Sequence, residues 1–509
     1  MTDTCPVPST RQVSSSVFRI DTVVAQIGAV TRSHPQDPAL IDDGQVWSYA
    51  ELWSRTESVA RGLLGLGLGA GQPVGVVGQN ESAYISTYLG VMRAGCVVVP
   101  INTMLDISSI RAQLDLVGVR TVFVGKLPPG IREGLEDSYA LLEMSAPPSG
   151  PTNPALPGIA PDSSCKIMLT SGSTGRPKGA EHTHGSIFHA VSQMASVFPF
   201  DRSDRGVVFL PLYTCIPEQV LPTLCTGGCL EILPGFDVER VADASSRATT
   251  FDAIPTIMSR LLENAPLHKL SKLRWILFAS EPAPAHLLKS WWDLLPTVQT
   301  HQFYGMTELL NITAAPDAML RAEPETVGRA FPTTGIVLDP LDSHTDGSGE
   351  ILASSASRMC GYLGDPTATS TALTAAGALR TGDIGRIDDR GLLFLTGRRK
   401  DIIISGGFNV APAEIESVAF AHGSLQEVIV VGVPSKRWGE TPVVVAVPKA
   451  GSVVTAGDLL RYCRSELSSF KRPSAAALVE TLPSTGIGKG DKAGVKRLIE
   501  TGEIELVVE

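Results

Sequence analysis

A repeated alternation of helical and strand patterns in the first half of the chain constrains the fold most. Residues 49–66 carry apolar side chains at near-helical spacing and end in glycines, and Pro73–Val77 is a short apolar run. Residues 82–93 are again helical in pattern, and residues 95–100 form a second apolar run. Continuous apolar strands that alternate with helices are typical of a largely parallel sheet covered by helices. We therefore predict an α/β protein.

The chain contains 509 residues, which is more than one hydrophobic core usually supports. After Pro340 the sequence is rich in Asp, Ser and Gly, and short alternating segments suited to antiparallel strands follow. A charged cluster at residues 398–401 separates this region from further strand and helix patterns at 428–433, 442–447 and 456–467. We predict a large N-terminal domain of mixed, largely parallel sheets with helices (residues 1–399) and a small α+β C-terminal domain (residues 400–509).

Charge and composition exclude several functional classes. The net charge of −10 argues against a nucleic-acid surface, and no segment approaches the apolar length of a membrane span. The N-terminal segment is polar and lacks a signal-peptide pattern. The eight cysteines are scattered without a C-x-x-C pair, so we expect reduced thiols in a cytoplasmic protein rather than a zinc site.

A loop rich in glycine and hydroxyl groups follows an apolar strand pattern at residues 166–169. Its polar and glycine positions are Thr170, Ser171, Gly172, Ser173, Thr174 and Gly175, and Arg176 and Lys178 add positive charge. Backbone N–H groups and hydroxyls in such a loop converge on phosphate oxygens. The spacing is not that of the Walker loop. A flexible Ser/Gly linker is the alternative, but the preceding strand, the proline and the lysine favour a phosphate site.

The glycine run at residues 65–70 formally matches a dinucleotide fingerprint. It follows a helix, whereas the fingerprint needs a strand before it, so we interpret it as a helix stop and a turn.

The ordered motifs of the chain resemble those of the adenylate-forming superfamily of acyl-CoA ligases, luciferases and adenylation domains, over roughly residues 45–495. Beyond the phosphate loop, the resemblance rests on the segments 251–256, 304–308, 381–383, 398–401, 406–410, 412–416 and 488–489.

The resemblance implies a nucleotide site with defined roles. Tyr304 would stack on adenine, Thr307 would contact the α-phosphate, and Glu308 would hold Mg²⁺. Asp383 would bind the ribose hydroxyls, with Arg398 adding a contact to ribose or phosphate. The segment Ser280, Glu281 and Pro282 would flank adenine and the acyl group, and Gly305 would border both.

The resemblance also implies that the C-terminal domain is mobile about a hinge at Lys400. One orientation would bring Lys489 to the adenylate site as the catalytic lysine, whose ammonium stabilises charge on the α-phosphate. The other would bring Gly406, Gly407 and Phe408 to a tunnel for the thiol of coenzyme A, where a glycine leaves room for the thiol. A solvated, idle lysine is the alternative for Lys489.

Three blocks depart from the family pattern near the expected acyl pocket, which would be lined by Tyr213, Thr214, Cys215, Ala279 and Gly305. Thr214 stands where a histidine is usual, Ala279 replaces a glycine, and Ser354–Ala356 replace a basic-Gly-Pro turn. These changes leave open a specialised enzyme that mainly thioesterifies a preformed acyl-adenylate.

The expected substrates are ATP with Mg²⁺, a small carboxylic acid and coenzyme A. No acid follows Thr214 in register to hold an ammonium, which disfavours an α-amino acid and favours a hydrophobic or aromatic acid. A carrier-protein phosphopantetheine is the alternative thiol acceptor. Light emission is a weaker alternative, because it needs a special substrate. A non-catalytic binding role is disfavoured, because Glu308 and Lys489 are both retained.

Overall fold

The fold is given by a computed structural model that describes residues 20–146, 148, 154–171, 177–281, 283–340, 347–405, 408–435, 438–483 and 490–508. Within these residues the α-helices, numbered in chain order, are α1 (Val23–Ser33), α2 (Tyr49–Gly65), α3 (Ser82–Arg93), α4 (Ile107–Leu116), α5 (Ile131–Glu136), α6 (His184–Val197), α7 (Leu212–Cys215), α8 (Leu221–Thr226), α9 (Val238–Ser245), α10 (Pro255–Asn264), α11 (Leu267–Leu270), α12 (Ala285–Leu294), α13 (Asp317–Ala322), α14 (Pro366–Ala372), α15 (Pro412–Ala421), α16 (Ala456–Glu466) and α17 (Lys492–Glu500).

The strands of the same residues are β1 (Pro38–Asp42), β2 (Gln45–Ser48), β3 (Pro73–Val77), β4 (Val97–Pro100), β5 (Thr121–Val124), β6 (Ala140–Glu143), β7 (Ser164–Ser171), β8 (Pro177–Thr183), β9 (Arg205–Val208), β10 (Cys229–Ile232), β11 (Thr250–Ala253), β12 (Trp275–Phe278), β13 (Gln299–Tyr304), β14 (Thr313–Ala315), β15 (Arg329–Ala330), β16 (Gly335–Pro340), β17 (Gly349–Ser354), β18 (Gly361–Tyr362), β19 (Leu379–Ile387), β20 (Leu393–Arg398), β21 (Ile403–Ser405), β22 (Phe408–Val410), β23 (Leu425–Ser435), β24 (Gly439–Pro448), β25 (Ala475–Leu478) and β26 (Val507–Val508).

Two large sheets form the body of the N-terminal domain. One has nine strands in the order β15-β14-β13-β12-β11-β9-β10-β1-β2, and the other has seven in the order β18-β8-β7-β4-β3-β5-β6. Their central strands are parallel. Both edges of the nine-stranded sheet are antiparallel, whereas the seven-stranded sheet is antiparallel at its β18-β8-β7 edge and parallel at β6. Strands β3, β4 and β5 are almost fully buried and apolar, as a parallel sheet covered by helices requires. The α/β prediction is confirmed.

Helix α2 shows how local sequence sets the elements. Ser48 accepts a hydrogen bond from the backbone N–H of Glu51, whose carboxylate accepts from the backbone N–H of Ser48, so a capping box begins the helix. Leu52, Val59 and Leu63 are buried at helical spacing. The helix ends at Gly65, and the glycine run forms a turn, as predicted.

The last part of the chain builds two smaller sheets. Strands β16, β17, β19 and β20 form an antiparallel four-stranded sheet, which confirms the alternating pattern predicted after residue 349. Strands β21 to β26 form a six-stranded sheet, with helices α15 and α16 packed on its core. This sheet and its helices are the small C-terminal domain.

Candidate active site

Four chain segments meet at one edge of the nine-stranded sheet. Strands β9, β11, β12 and β13 are neighbours and parallel, so the residues that follow them emerge at the same edge. These are the segments 209–215, 254–256, 279–281 and 305–308, which contain the predicted acyl-pocket residues and much of the predicted nucleotide site. Ligands of open α/β sheets bind outside the carboxyl ends of the strands. The sheet therefore gathers these residues at one candidate site.

The loop after β13 folds back on itself at Gly305. A Cβ built on Gly305 would lie 1.6 Å from the carbonyl oxygen of Leu310, so only glycine fits. Leu310 itself has a positive φ of 62°. The loop is closed by hydrogen bonds from the backbone N–H groups of Leu309 and Leu310 to the carbonyl of Met306. This compact turn fixes Thr307 and Glu308.

Strand β19 brings Asp383 to the end of β13. The phenol of Tyr304 donates a hydrogen bond of 2.6 Å to Oδ2 of Asp383, and Nε of Arg398 lies 3.0 Å from Oδ1. Asp383 and Arg398 are directly paired between β19 and β20. Burial, followed by the charge of Asp383, raises the pKa of Tyr304 well above its usual value. Three residues predicted for adenine and ribose thus lie together, with both Asp383 oxygens already bonded to protein groups.

Glu308 and Lys178 meet across a tyrosine of strand β18. The phenol of Tyr362 donates a 2.7 Å hydrogen bond to Oε1 of Glu308. Nζ of Lys178 lies 4.9 Å from the centre of the Tyr362 ring. Strand β18 pairs with β8, which places Tyr362 opposite Ala180 and two residues from Lys178 along the hairpin. The end of the phosphate loop and the Tyr304–Glu308 segment therefore share one site.

The donor set around Glu308 suits Mg²⁺ held together with a nucleotide. Glu308 is buried, and among the described residues no lysine or arginine forms an ion pair with it. No group of three or more potential metal ligands occurs in the described part of the chain. Mg²⁺ is usually bound by one or two carboxylates plus substrate phosphates, so a single buried glutamate beside a phosphate loop fits that mode of binding.

Thr307 is anchored through its main chain. Nε2 of His182 lies 2.8 Å from the carbonyl oxygen of Thr307, and Nδ1 lies 3.3 Å from the Ser186 hydroxyl. Burial lowers the pKa of His182 to about 4. At neutral pH the neutral ring therefore donates from Nε2, which ties the loop that contains Thr307 to β8.

The predicted acyl wall, which is the part of the expected acyl pocket formed by Tyr213, Thr214 and Cys215, lies after β9. Burial raises the pKa of Tyr213 to about 12, and the Thr214 hydroxyl donates to the Pro211 carbonyl at 2.8 Å. Cys215 is 3% exposed. On the facing loop Ala279 is buried, and Ser280 has a positive φ of 77°. A non-glycine residue in that region stores strain, which is concentrated at functional sites.

Comparison with known proteins identifies the family. The model for AMP-binding enzymes matches residues 28–363, and the model for the AMP-binding enzyme C-terminal domain matches residues 414–489. The chain belongs to the AMP-binding enzyme family. It is an enzyme of the acyl-CoA ligase group within the adenylate-forming superfamily.

Individual relatives of this AMP-binding enzyme match over nearly their whole length. A feruloyl-CoA synthase from Amycolatopsis sp. is 33% identical, with 92% of this chain and 96% of the relative covered. ATP-bound MatB from Rhodopseudomonas palustris superposes with a TM-score of 0.86 at 27% identity, covering 94% and 99% of the two chains. O-Succinylbenzoate CoA synthetase (MenE) from Bacillus subtilis, in complex with the acyl-adenylate intermediate OSB-AMP, gives 0.83 at 25% identity, covering 92% and 97%.

The C-terminal domain of the enzyme contacts the N-terminal domain through helices α15 and α12. The rings of His286 on α12 and Phe420 on α15 stack with centroids 5.2 Å apart. Lys400, the predicted hinge, lies in a single 3₁₀ turn (Arg399–Asp401) between β20 and β21. Phe408 begins β22. Some predicted site residues lie outside the described residues: Gly172, Ser173, Thr174, Gly175, Pro282, Gly406, Gly407 and Lys489.

The other predicted residues occupy defined positions. Thr170 and Ser171 end β7, and the hydroxyl of Thr170 lies 3.5 Å from the Lys178 carbonyl. Oε2 of Glu281 accepts a 2.9 Å hydrogen bond from Thr256 at the start of α10. The bond links two neighbouring strand ends of the site.

Sequence reasoning did not find Tyr362 or His182. Tyr362 is 54 residues from Glu308, and His182 is 125 residues from Thr307. A lone tyrosine after Cys-Gly and a histidine at a strand end carry no local signal of these contacts. The pairing of β18 with β8 brings Tyr362 to the site, and His182 reaches Thr307 from β8 itself.

Proposed function

We propose that the protein activates a hydrophobic or aromatic carboxylic acid with ATP, through an acyl-adenylate, and then transfers the acyl group to coenzyme A. The observation that carries this proposal is the meeting of Lys178, Tyr362 and Glu308 beside the Tyr304–Asp383 pair. A triphosphate needs cationic and hydrogen-bonding groups at one end, and a nucleoside needs a ring face and a carboxylate at the other. In this site the Tyr304–Glu308 segment joins the two sets of groups: Tyr304 contacts Asp383 at one end, and Glu308 contacts Tyr362 at the other.

In the first half-reaction, an oxygen of the substrate carboxylate attacks the α-phosphorus of ATP and pyrophosphate leaves. Thr307 and Lys489 would stabilise the charge that develops on the phosphoryl oxygens. Mg²⁺ held by Glu308 would neutralise charge on the phosphates. The phosphate loop would hold the departing pyrophosphate, with Lys178 at its end.

In the second half-reaction, the thiol of coenzyme A attacks the acyl carbonyl and AMP leaves. Phe408 and the two preceding glycines would form the tunnel that admits the thiol after the C-terminal domain turns about Lys400. We also place the domain boundary at residues 399 and 400. It is supported by the position of the 3₁₀ turn between the last strand of one sheet and the first strand of the next.

Support for an aromatic or hydrophobic acid comes from the relatives and from the wall of the pocket. The feruloyl-CoA synthase and the o-succinylbenzoate CoA synthetase are named for acids that carry an aromatic ring. In this chain the buried residues at the same sheet edge, Cys215, Ala279 and Ile254, are mostly apolar. An α-amino acid is disfavoured, since no carboxylate follows Thr214 directly.

The cellular setting is part of the proposal. All seven cysteines within the described residues are free, which fits a reducing cytoplasm. Within the same residues, no helix has both the length and the apolar character needed to cross a bilayer.

The decisive experiment incubates the protein with ATP, Mg²⁺, coenzyme A and a panel of carboxylic acids, and measures AMP and thioester separately. Stoichiometric AMP and thioester from at least one free acid is the expected result. Thioester from synthetic acyl-adenylates, with none from free acid and ATP, would establish the specialised one-half-reaction enzyme. If the acyl group is transferred only to a phosphopantetheinylated carrier protein, then that protein is the acceptor instead of coenzyme A.

Lys489→Ala tests the division between the two half-reactions. We expect loss of ATP–pyrophosphate exchange with coenzyme A attack on a supplied adenylate retained, because only the first step builds charge on the phosphate. Lys496→Ala, on α17 of the same domain, is the matched control and should leave both activities near those of the unmodified enzyme. Equal loss of both activities in Lys489→Ala would contradict the assigned role.

A further inference from the structure

Glu218 lies one helical turn beyond the predicted acyl wall. It sits in a π-helical segment, Ile216–Val220, which continues directly from α7. Residues four apart share a helix face, so Glu218 extends the face that carries Thr214. Single π-turns are rare in proteins, and many of those that occur lie at functional sites. The segment therefore places a carboxylate beside Thr214 of the predicted acyl pocket.

Glu218 lies among buried ionisable groups. Its side chain is only partly buried, although the groups that interact with it electrostatically, Lys166, Cys215 and Asp252, are 0%, 3% and 5% exposed. Its Oε2 atom is enclosed and has no hydrogen-bond partner.

Lys166 supplies the counter-charge behind Glu218. Nζ of Lys166 has no hydrogen-bond partner and lies 5.6 Å from the centre of the Tyr88 ring. Burial lowers the pKa of Lys166 to about 8, and the charge of Glu218 opposes that shift. Burial raises the pKa of Glu218 to about 7, opposed by Lys166. The net charge of Lys166 and Glu218 together is close to zero, and Oε2 of Glu218 can still accept a hydrogen bond.

These charges restrict which chemical group of a bound acid can lie against Glu218. An ammonium at the far end of the acid would lie beside the Lys166 cation, and a second carboxylate would meet Glu218. A bare alkyl or phenyl end would leave the Glu218 oxygen without a partner, which is costly in a buried site. A hydroxyl is neutral and donates a hydrogen bond to the carboxylate.

We propose that Glu218 is a specificity-determining residue that accepts a hydrogen bond from a hydroxyl at the end of the acid opposite its carboxyl group. Lys166 is the positioning residue that balances the charge of Glu218. The inference rests on the proposed function, because it assigns the far end of the acyl pocket of that reaction.

The test measures kcat/KM for thioester formation with matched acids: cinnamate against 4-hydroxycinnamate, and 3-phenylpropanoate against 3-(4-hydroxyphenyl)propanoate. We expect the unmodified enzyme to prefer the hydroxylated acid of each pair by roughly 10- to 100-fold, the range of a hydrogen bond to a charged group. Glu218→Leu should reduce that ratio to near one. Glu218→Gln should retain part of the preference, since its amide oxygen still accepts a hydrogen bond.

Removing Glu218 alone leaves Lys166 buried without its counter-charge, which destabilises a protein. The double variant Lys166→Met with Glu218→Leu replaces the pair by apolar groups and keeps the test valid if the single variant unfolds. In that double variant we expect activity on the unhydroxylated acids with the hydroxyl preference lost.

The outcomes separate this inference from the proposed function. Thioester formation with equal kcat/KM for both acids of each pair, as when an ordered water partners Glu218, overturns the hydroxyl recognition alone. A preference that persists unchanged in Glu218→Leu and in the double variant also overturns it. Absence of AMP and thioester with every acid overturns the proposed function, and this inference with it.

Discussion

Replacing Gly305 by alanine tests the geometry of the catalytic loop most directly. The added Cβ would lie 1.6 Å from the Leu310 carbonyl oxygen, whereas Cβ atoms essentially never come within 3.0 Å of such an atom. The two strands of the turn must therefore separate by at least roughly 1.4 Å. That movement is transmitted to Thr307 and Glu308, which lie between the two contact points.

A displacement of about 1 Å in a catalytic group costs on the order of 100-fold in rate. We therefore expect Gly305→Ala to lower kcat/KM for thioester formation by at least about 100-fold. ATP–pyrophosphate exchange should fall in parallel, because Thr307 and Glu308 are assigned to the adenylation step. Thioester formation should be measured at saturating coenzyme A and ATP–pyrophosphate exchange in its absence, with the thermal unfolding midpoint recorded for each variant.

Gly158→Ala is the matched control, since a Cβ on Gly158 meets nothing within 4 Å. It should keep the activity and the unfolding midpoint of the unmodified enzyme. A folded Gly305→Ala variant as active as the control would show that the turn does not hold Thr307 and Glu308 in place for the reaction.

Two further predictions follow from contacts near the site and in the core. Tyr362→Phe removes the hydrogen bond to Glu308 and should raise the Mg²⁺ concentration for half-maximal AMP release by roughly 10-fold. Tyr139→Phe, which loses a similar hydrogen bond to Asp115, should leave this Mg²⁺ concentration unchanged. An equal shift in both variants would contradict the role of Tyr362 in holding Glu308. Burial lowers the pKa values of His182, His184 and His301 from 6.5 to about 4, so the unfolded chain takes up their protons first as the pH falls. Stability should therefore be complete above pH 6.5 and decline towards pH 4 by up to roughly 3 kcal/mol per histidine. In urea unfolding of His184→Leu, the free energy of unfolding should fall less between pH 6.5 and pH 4 than in the unmodified protein. A free energy of unfolding of the unmodified protein that is constant over this pH range would refute the prediction.

Much of the fold could be predicted from local patterns. The helix at residues 49–66 and the strands at 73–77 and 442–447 were predictable because apolar spacing reflects which faces are buried. The structure extends several of these elements. Strand β7, for instance, runs over Ser164–Ser171 rather than 166–169, since its pairing with β8 continues into the phosphate loop.

The candidate site was predictable only in part. Residues within one motif, such as Tyr304 and Glu308, are held together by the chain itself. Other contacts depend on how distant strands and helices pack. Examples are the hydrogen bond from Tyr362 to Glu308 and the electrostatic interaction between Lys166 and Glu218. Residue identity does not encode those contacts locally, so pattern reasoning assigned Glu218 no role and left Lys166 unremarked.

The order of strands in the two large sheets affects how the chain acquires its structure during synthesis. The nine-stranded sheet takes its first strand at residue 38 and its last at residue 330, while the other sheet uses residues 73 to 183 and is completed by residues 361–362. The nine-stranded sheet cannot close until about 65% of the 509-residue polypeptide has left the ribosome, and the other sheet cannot close until about 71% has done so. Strand edges of both sheets stay unpaired through that interval, when aggregation competes with folding and chaperones bind.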